Sequence, residues 1–243
     1  MMKVTQFTSY ALLGSGRLAR HLEFYLQSLG LPFTKWSRSA GDENLAPAIA
    51  GASHVLLAVS DRAITELAAR IPRDGKTLVH FSGATRAEGV WAAHPLMTFA
   101  PELESTSWYP KVPFVHDEGV RFSDLLPGFP NPHFALNAEL RPLYHALVSL
   151  AGNSSFLLWQ NAGDAFEKQL GLPRALLAPF LHQVVDNATQ KSIGAFTGPV
   201  AREDWQTVAS HIQALRNSEL AESYHDYLNS AARAGHPVPK EML

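Results

Sequence analysis

Short apolar runs alternate with amphipathic stretches through the first half of the chain. "SYALLG" predicts a strand. "RLARHLEFYLQSLG" after it predicts a helix, with Leu18, Leu22, Tyr25, Leu26 and Leu29 along one side. Gly30 stands where a left-handed C-cap closes such a helix. "PFTKWSRS" reads as a second strand, and "ASHVLLAVS" as a strand buried on both faces of a parallel sheet. "DRAITELAARIP" then returns Ile64, Leu67, Ala68 and Ile71 at helical spacing, and "KTLVHFSGA" is a further buried strand. Strands alternating with helices imply right-handed βαβ units. The expected fold class is α/β, with an N-terminal doubly wound Rossmann-type sheet followed by an all-α C-terminal domain.

The change of texture sets the domain boundary. After Ala100 the chain is proline-rich, as for the last strands and loops of a first domain, and from Leu140 the pattern is helical to the end. The expected domains are residues 1–139 and 140–243. One long helix is predicted from Arg141-Pro142 toward "GDAFEKQLG", broken by Gly171 and Pro173. A second covers "RALLAPFLHQVVDNATQKSIG", kinked at Pro179. Trp205, Val208, Ile212 and Leu215 mark a third, and "SELAESYHDYLNSAARAG" a fourth.

Composition narrows the function classes. With 46% hydrophobic and 17% charged residues the chain can bury an ordinary globular core. A formal net charge of −2 gives no general attraction to nucleic acid or anionic membrane, so any anion site must be local. The absence of cysteine excludes disulfides, thiolate catalysis and cysteine zinc sites. Eleven histidines include no H-E-x-x-H pair, so no metal site is expected, and no G-x-S-x-G elbow points to a serine hydrolase. The N-terminus does not read as a secretory signal, and no window approaches the roughly 20 apolar residues of a membrane span. A cytoplasmic protein is expected.

One loop carries a specific chemistry. Gly14-Ser15-Gly16-Arg17-Leu18-Ala19 has the pattern G-x-G-x-x-A between a predicted strand and a predicted helix. In a dinucleotide site Gly14 permits the tight turn, Gly16 lets the backbone approach a pyrophosphate, and Ala19 keeps helix and strand close. The phosphates then lie over free N–H groups at the helix start. A plain turn is the alternative, and the βαβ setting favours the dinucleotide. About 20 residues on, an NAD-binding chain carries a carboxylate for the ribose. Here Lys35-Trp36-Ser37-Arg38-Ser39 has none. A guanidinium between two hydroxyls suits a phosphate monoester, so Ser37, Arg38 and Ser39 favour NADP.

Three further segments, with the glycine loop, carry a resemblance: "AVSDRAI"; "VHFSGA" followed by "HPLMTF"; and "AFTGPVARED" with the downstream His211. Together they resemble the Rossmann-like proteins with C-terminal domain of unknown function 2520, a branch of the 6-phosphogluconate-dehydrogenase-like superfamily. The resemblance implies a two-domain NADP-dependent oxidoreductase acting on a small molecule and forming a homodimer through its helical domain. By the same analogy Val59, Ser60 and Asp61 line the nicotinamide-ribose region, and His80, Ser82 and Gly83 border the reacting carbon. The sequence departs from the family's "RGD" with Arg202-Glu203-Asp204, which leaves Arg202 in place.

Reduction of a C=O or C=N bond needs a proton donor and groups that orient the substrate. Hydroxyacid dehydrogenases of the wider superfamily use a lysine on the first long helix of the second domain, and Ser149 stands near that position here. His145, Ser149 and Asn153 recur at i, i+4, i+8 and would share one helix face. On that face His145 is the candidate general acid, with its ordinary pKa near 6.5, or the three polar groups face solvent. His94 is a second candidate acid, or it pins its loop. Ser82 orients a substrate oxygen or caps the turn before Gly83. Thr197-Gly198-Pro199 reads as a structural turn, and Arg202 beyond it binds a substrate carboxylate or forms a salt bridge. Since the superfamily lysine is missing, a non-catalytic NADP-binding sensor or interaction protein stands as the alternative function.

Overall fold

A computed structural model describes residues 8–190 and 193–243. Met1–Phe7, part of the stretch read for a secretory signal, and Lys191 and Ser192 of the second expected C-terminal helix lie outside the described residues. The chain folds into two compact units, Met1–Ser149 and Leu150–Leu243. The boundary expected at 139/140 lies ten residues before this division.

The first unit is a seven-stranded sheet of order β2-β1-β3-β4-β5-β6-β7. Its elements are β1 (Tyr10–Leu13), α1 (Arg17–Ser28), β2 (Phe33–Trp36), α2 (Leu45–Ile49), β3 (His54–Leu57), α3 (Asp61–Ala69), β4 (Thr77–His80), β5 (Trp91–Pro95), β6 (Phe114–Asp117), α4 (Phe122–Leu125), β7 (His133–Leu136) and α5 (Arg141–Ser149). The first five strands run parallel, and β6 pairs antiparallel with β5 while β7 lies parallel to β6. The α/β reading is borne out.

Register follows burial. Leu13 lies opposite both Trp36 and Leu57, and Leu57 opposite His80, so the carboxyl ends of β2, β1, β3 and β4 align along one edge. Every residue of β1 is buried because the strand has helices on both faces. Ala11, Leu13, Val55 and Leu57 join one core layer with Ile64, Leu67 and Ala68 of α3. Tyr10, Leu12 and Leu56 join the other with Leu22, Tyr25 and Leu26 of α1. Gly30 closes α1 at φ +65°.

The second unit holds a π turn (Leu150–Ser154), α6 (Ser155–Leu170), α7 (Ala178–Gln190), α8 (Trp205–Leu215) and α9 (Ala221–Arg233). The single helix expected from Arg141 is thus divided by the π turn. Gly171 caps α6 in the left-handed region, as its sequence position suggests. The kink expected at Pro179 is absent: a 3-10 turn (Arg174–Leu177) precedes α7, and Pro179 falls in the first turn, where its missing N–H costs nothing. Val200, Val208, Leu228 and Ala231 form a small core around α8 and α9.

Candidate functional site

A cleft of about 690 Å³ opens at the carboxyl edge of the sheet, where the chain turns from β1 outward in both directions. Such switch points are where open α/β sheets bind ligands. Gly14, Ser15, Gly16, Arg17 and Leu18 line it on one side, Ser37, Arg38 and Ser39 on another, and Val59 and Ser60 on a third. Ten of the eleven expected cofactor residues therefore converge. Gly14 sits at φ +138°, and a Cβ there would lie 2.1 Å from the Ala58 carbonyl oxygen. Only glycine fits. At Gly16 a Cβ would meet no protein atom within 4 Å, so packing within the protein does not demand that glycine, whereas close approach of a ligand would. Gly16 also N-caps α1 without a side-chain hydrogen bond and with no acidic residue in the first turn. The helix start is left with free N–H donors.

The far end of the cleft is cationic. Trp36 Nε1 donates to the Gly41 carbonyl at 2.9 Å and fixes the loop, and Ser37 and Ser39 share a hydroxyl hydrogen bond of 2.8 Å. Lys35 is taken up by Glu23 at 2.5 Å, whereas Arg38 is exposed. Arg62 and Arg70 of the next βα unit also line the cleft, and sequence reasoning did not place them there. Arg70 is already engaged, with Asp42 at 2.8 Å and stacked 5.8 Å from the Trp36 ring.

The remaining expected residues of the first unit gather farther along the same edge. Asp61, which does not line the cleft, accepts the Ser82 hydroxyl at 2.7 Å. Ser82 Oγ in turn accepts the N–H groups of Ala84 and Thr85, the bonds of a turn cap. His80, expected to border the reacting carbon, is fully buried, and its Nδ1 accepts the Ser82 N–H at 3.2 Å. Gly83 has a different reason to be glycine. A Cβ there would lie 2.4 Å from His145 Cδ2 and 3.2 Å from His94 Cδ2, so the two imidazoles close directly over its backbone.

His94 and His145 meet edge to face with centroids 5.8 Å apart, and His94 Nδ1 lies 2.8 Å from the Tyr144 hydroxyl oxygen. Burial, followed by the charges of His145 and Arg141, pushes His94 down to about 4, against a smaller opposing effect of Asp61. His94 is therefore neutral at pH 7, and as a candidate acid it has only a neutral ring N–H to offer. Burial raises the Tyr144 phenol, and Arg141 opposes this.

Arg141 anchors the helix that carries these groups. It is fully buried, donates from Nε to Asp117 Oδ1 at 2.6 Å and from Nη2 to the Ala92 carbonyl at 3.4 Å, while Asp117 Oδ2 accepts the Ala92 N–H. The loop after His94 is fixed equally firmly. The Ala100 carbonyl can only accept, so His21 carries its proton on Nε2, and its Nδ1 accepts the Tyr109 hydroxyl at 2.8 Å. This holds "HPLMTFA" against α1.

Ser149 is half-buried at the end of α5. Asn153 is exposed in the π turn, where side chains no longer recur at the α-helical angle, and it belongs to the second unit. The expected i, i+4, i+8 face is thereby corrected. In that second unit Arg202 is exposed in a 3-10 turn that follows Gly198 at φ +106°. The Thr207 hydroxyl and N–H, and then Arg202, hold the Asp204 carboxyl below its ordinary value. His211 Nδ1 lies 2.9 Å from the Tyr224 hydroxyl. Among the described residues no three His, Asp or Glu side chains gather as metal ligands, and no helix is long and apolar enough to cross a membrane.

Residues 122–230 match the family described as Domain of unknown function (DUF2520), which bears out the resemblance read from the sequence. Among solved structures the chain is similar to a Bacteroides fragilis protein described as "putative NADP oxidoreductase BF3122", with 19% identity, 94% of this chain and 99% of that chain covered, and a TM-score of 0.73. It is similar to protein TM1727 from Thermotoga maritima, with 23% identity, coverages of 93% and 99%, and a TM-score of 0.69. It is also similar to an imine reductase from Aspergillus terreus solved in complex with NADPH4, with 17% identity, coverages of 98% and 90%, and a TM-score of 0.55. At these identities the likeness establishes the fold. No curated protein sequence matches the chain.

Proposed function

We propose that this chain is an NADP-dependent oxidoreductase that reduces a C=O or C=N bond of a small metabolite. The cleft at the switch point carries the reading: an uncapped helix start beside Gly14 and Gly16 at one end, and Arg38 between two serines at the other. The named activities of the structural neighbours from Bacteroides fragilis and Aspergillus terreus are of the same class. The N–H groups of the helix start would hold the pyrophosphate, and Arg38, Ser37 and Ser39 the 2′-phosphate. Bound there, the reduced nicotinamide supplies a hydride.

Charge-assisted hydrogen bonds are worth about 1.5–3 kcal/mol. Arg38→Ala is accordingly expected to raise the Kd for NADPH roughly 10- to 100-fold and to leave NADH binding within about threefold, as read by titration calorimetry. Equal losses for the two cofactors would refute the assignment of Arg38.

The second unit supports a homodimer as part of this reading. Leu157 and Leu158 of α6 and Phe180, Val184 and Val185 of α7 are all exposed, Leu157 by 61% and Phe180 by 64%. Large apolar side chains left exposed on two successive helices mark an interaction site, and a second copy of the chain is the partner proposed. Light scattering should give twice the chain mass of 26.6 kDa for the wild type. The Leu157→Glu/Phe180→Glu double variant should run as a monomer with unchanged helical content.

A further inference from the structure

We infer that Tyr144 is the proton donor of the proposed reduction, with His94 Nδ1–H holding the phenolate that donation leaves behind. This rests on the oxidoreductase reading and goes beyond it by naming an acid that the sequence did not single out. Three observations carry it. The Tyr144 hydroxyl is 2.8 Å from His94 Nδ1, and the residue is only half-buried, so the paired phenol belongs to a partly exposed side chain. The His94 ring is locked edge-on against Tyr144 at 80° and against His145 at 89°, over the bare backbone of Gly83. Arg141, one turn before Tyr144 and buried on Asp117, fixes where the phenol stands.

The proton inventory separates Tyr144 from its neighbours. Hydride addition to C=X leaves the π pair on X, which becomes a strong base. The Tyr144 O–H bond breaks as X–H forms, and the phenolate keeps the O–H electron pair. His94 Nδ1–H donates to that oxygen, the Arg141 charge favours it, and solvent returns the proton. A phenol whose pKa burial raises stays loaded at neutral pH, whereas His94, down to about 4, has only its neutral N–H. That N–H is what a phenolate needs. The charged and titratable groups acting on the pair are Arg141, His145 and Asp61.

Histidine-¹⁵N NMR of the ligand-free protein tests the pairing without any turnover. His94 is expected to be neutral from pH 7 down to about pH 5 and protonated at Nδ1. Protonation at Nε2 instead would mean that Tyr144 spends its hydrogen on His94, and would overturn the inference. With a panel of carbonyl and imine substrates, Tyr144→Phe should lower kcat at least about 100-fold while the Kd for NADPH stays unchanged. Tyr144→Phe with wild-type turnover sinks the donor and leaves the cofactor reading standing. A wild type that fails to bind NADPH, or binds it and reduces nothing on the panel, sinks both.

Discussion

Replacing Arg141 with alanine is expected to cost about 3–5 kcal/mol of stability, a large part of the roughly 5–15 kcal/mol that holds a domain folded. The cost comes from the carboxylate left behind more than from the ion pair removed. The Asp117 side chain is only 12% exposed. With the guanidinium gone it keeps one N–H donor, from Ala92, against a full negative charge. The Ala92 carbonyl loses its Nη2 donor as well. Urea denaturation at neutral pH reads the loss directly. The double variant Arg141→Met/Asp117→Asn should recover much of it, since an amide retains the acceptor for Ala92 N–H and no charge is stranded. A loss under about 1 kcal/mol for Arg141→Ala would show that Asp117 reaches solvent after all. The variant also frees the start of α5, so the Tyr144–His94 pair should loosen along with the fold.

The contrast between the two ends of the carboxyl edge shows what the sequence could carry. The glycine loop and Arg38 were legible because their constraints are local: a positive φ at Gly14, an uncapped helix start, and a cation at a set distance along one βαβ unit. Tyr144 was not legible, because its meaning depends on His94, fifty residues away in a neighbouring strand. Arg141 left one unread signal. A cation in the first turn of a helix faces the positive end of the helix dipole, so its placement there asks for a buried partner. The i, i+4, i+8 reading failed for a different reason. It assumed an unbroken α-helix, and the π turn at Leu150–Ser154 falls within the interval it counted across. Gly83 lies between these cases. The "SGA" signal was seen, but its purpose, room for two imidazoles, needed the tertiary packing.

Acid should begin to destabilise the first unit before its carboxylates protonate. Burial, followed by the charge of Arg141, lowers His80 from its ordinary 6.5 to about 4, against smaller opposing effects of Asp117 and Asp61. His94 falls to about 4 as well, and burial lowers His54 and His116 in the same direction. For a base with a depressed folded pKa, the unfolded chain takes up the proton first as pH drops. Stability is therefore full above about pH 6.5, declines between 6.5 and 4, and levels off for that group below 4. His80 alone contributes on the order of 2–3 kcal/mol to the decline, because its ring has no solvent exposure through which to hydrate a charge. His80→Asn isolates the effect. Its side-chain oxygen can still accept the Ser82 N–H that Nδ1 accepts now, and it takes up no proton in this window. The variant should be less stable at pH 7 from the lost ring volume, yet lose on the order of 2–3 kcal/mol less between pH 6.5 and 4, measured by urea midpoints at closely spaced pH. An acid limb as steep as that of the wild type would show that His80 is not the group that charges.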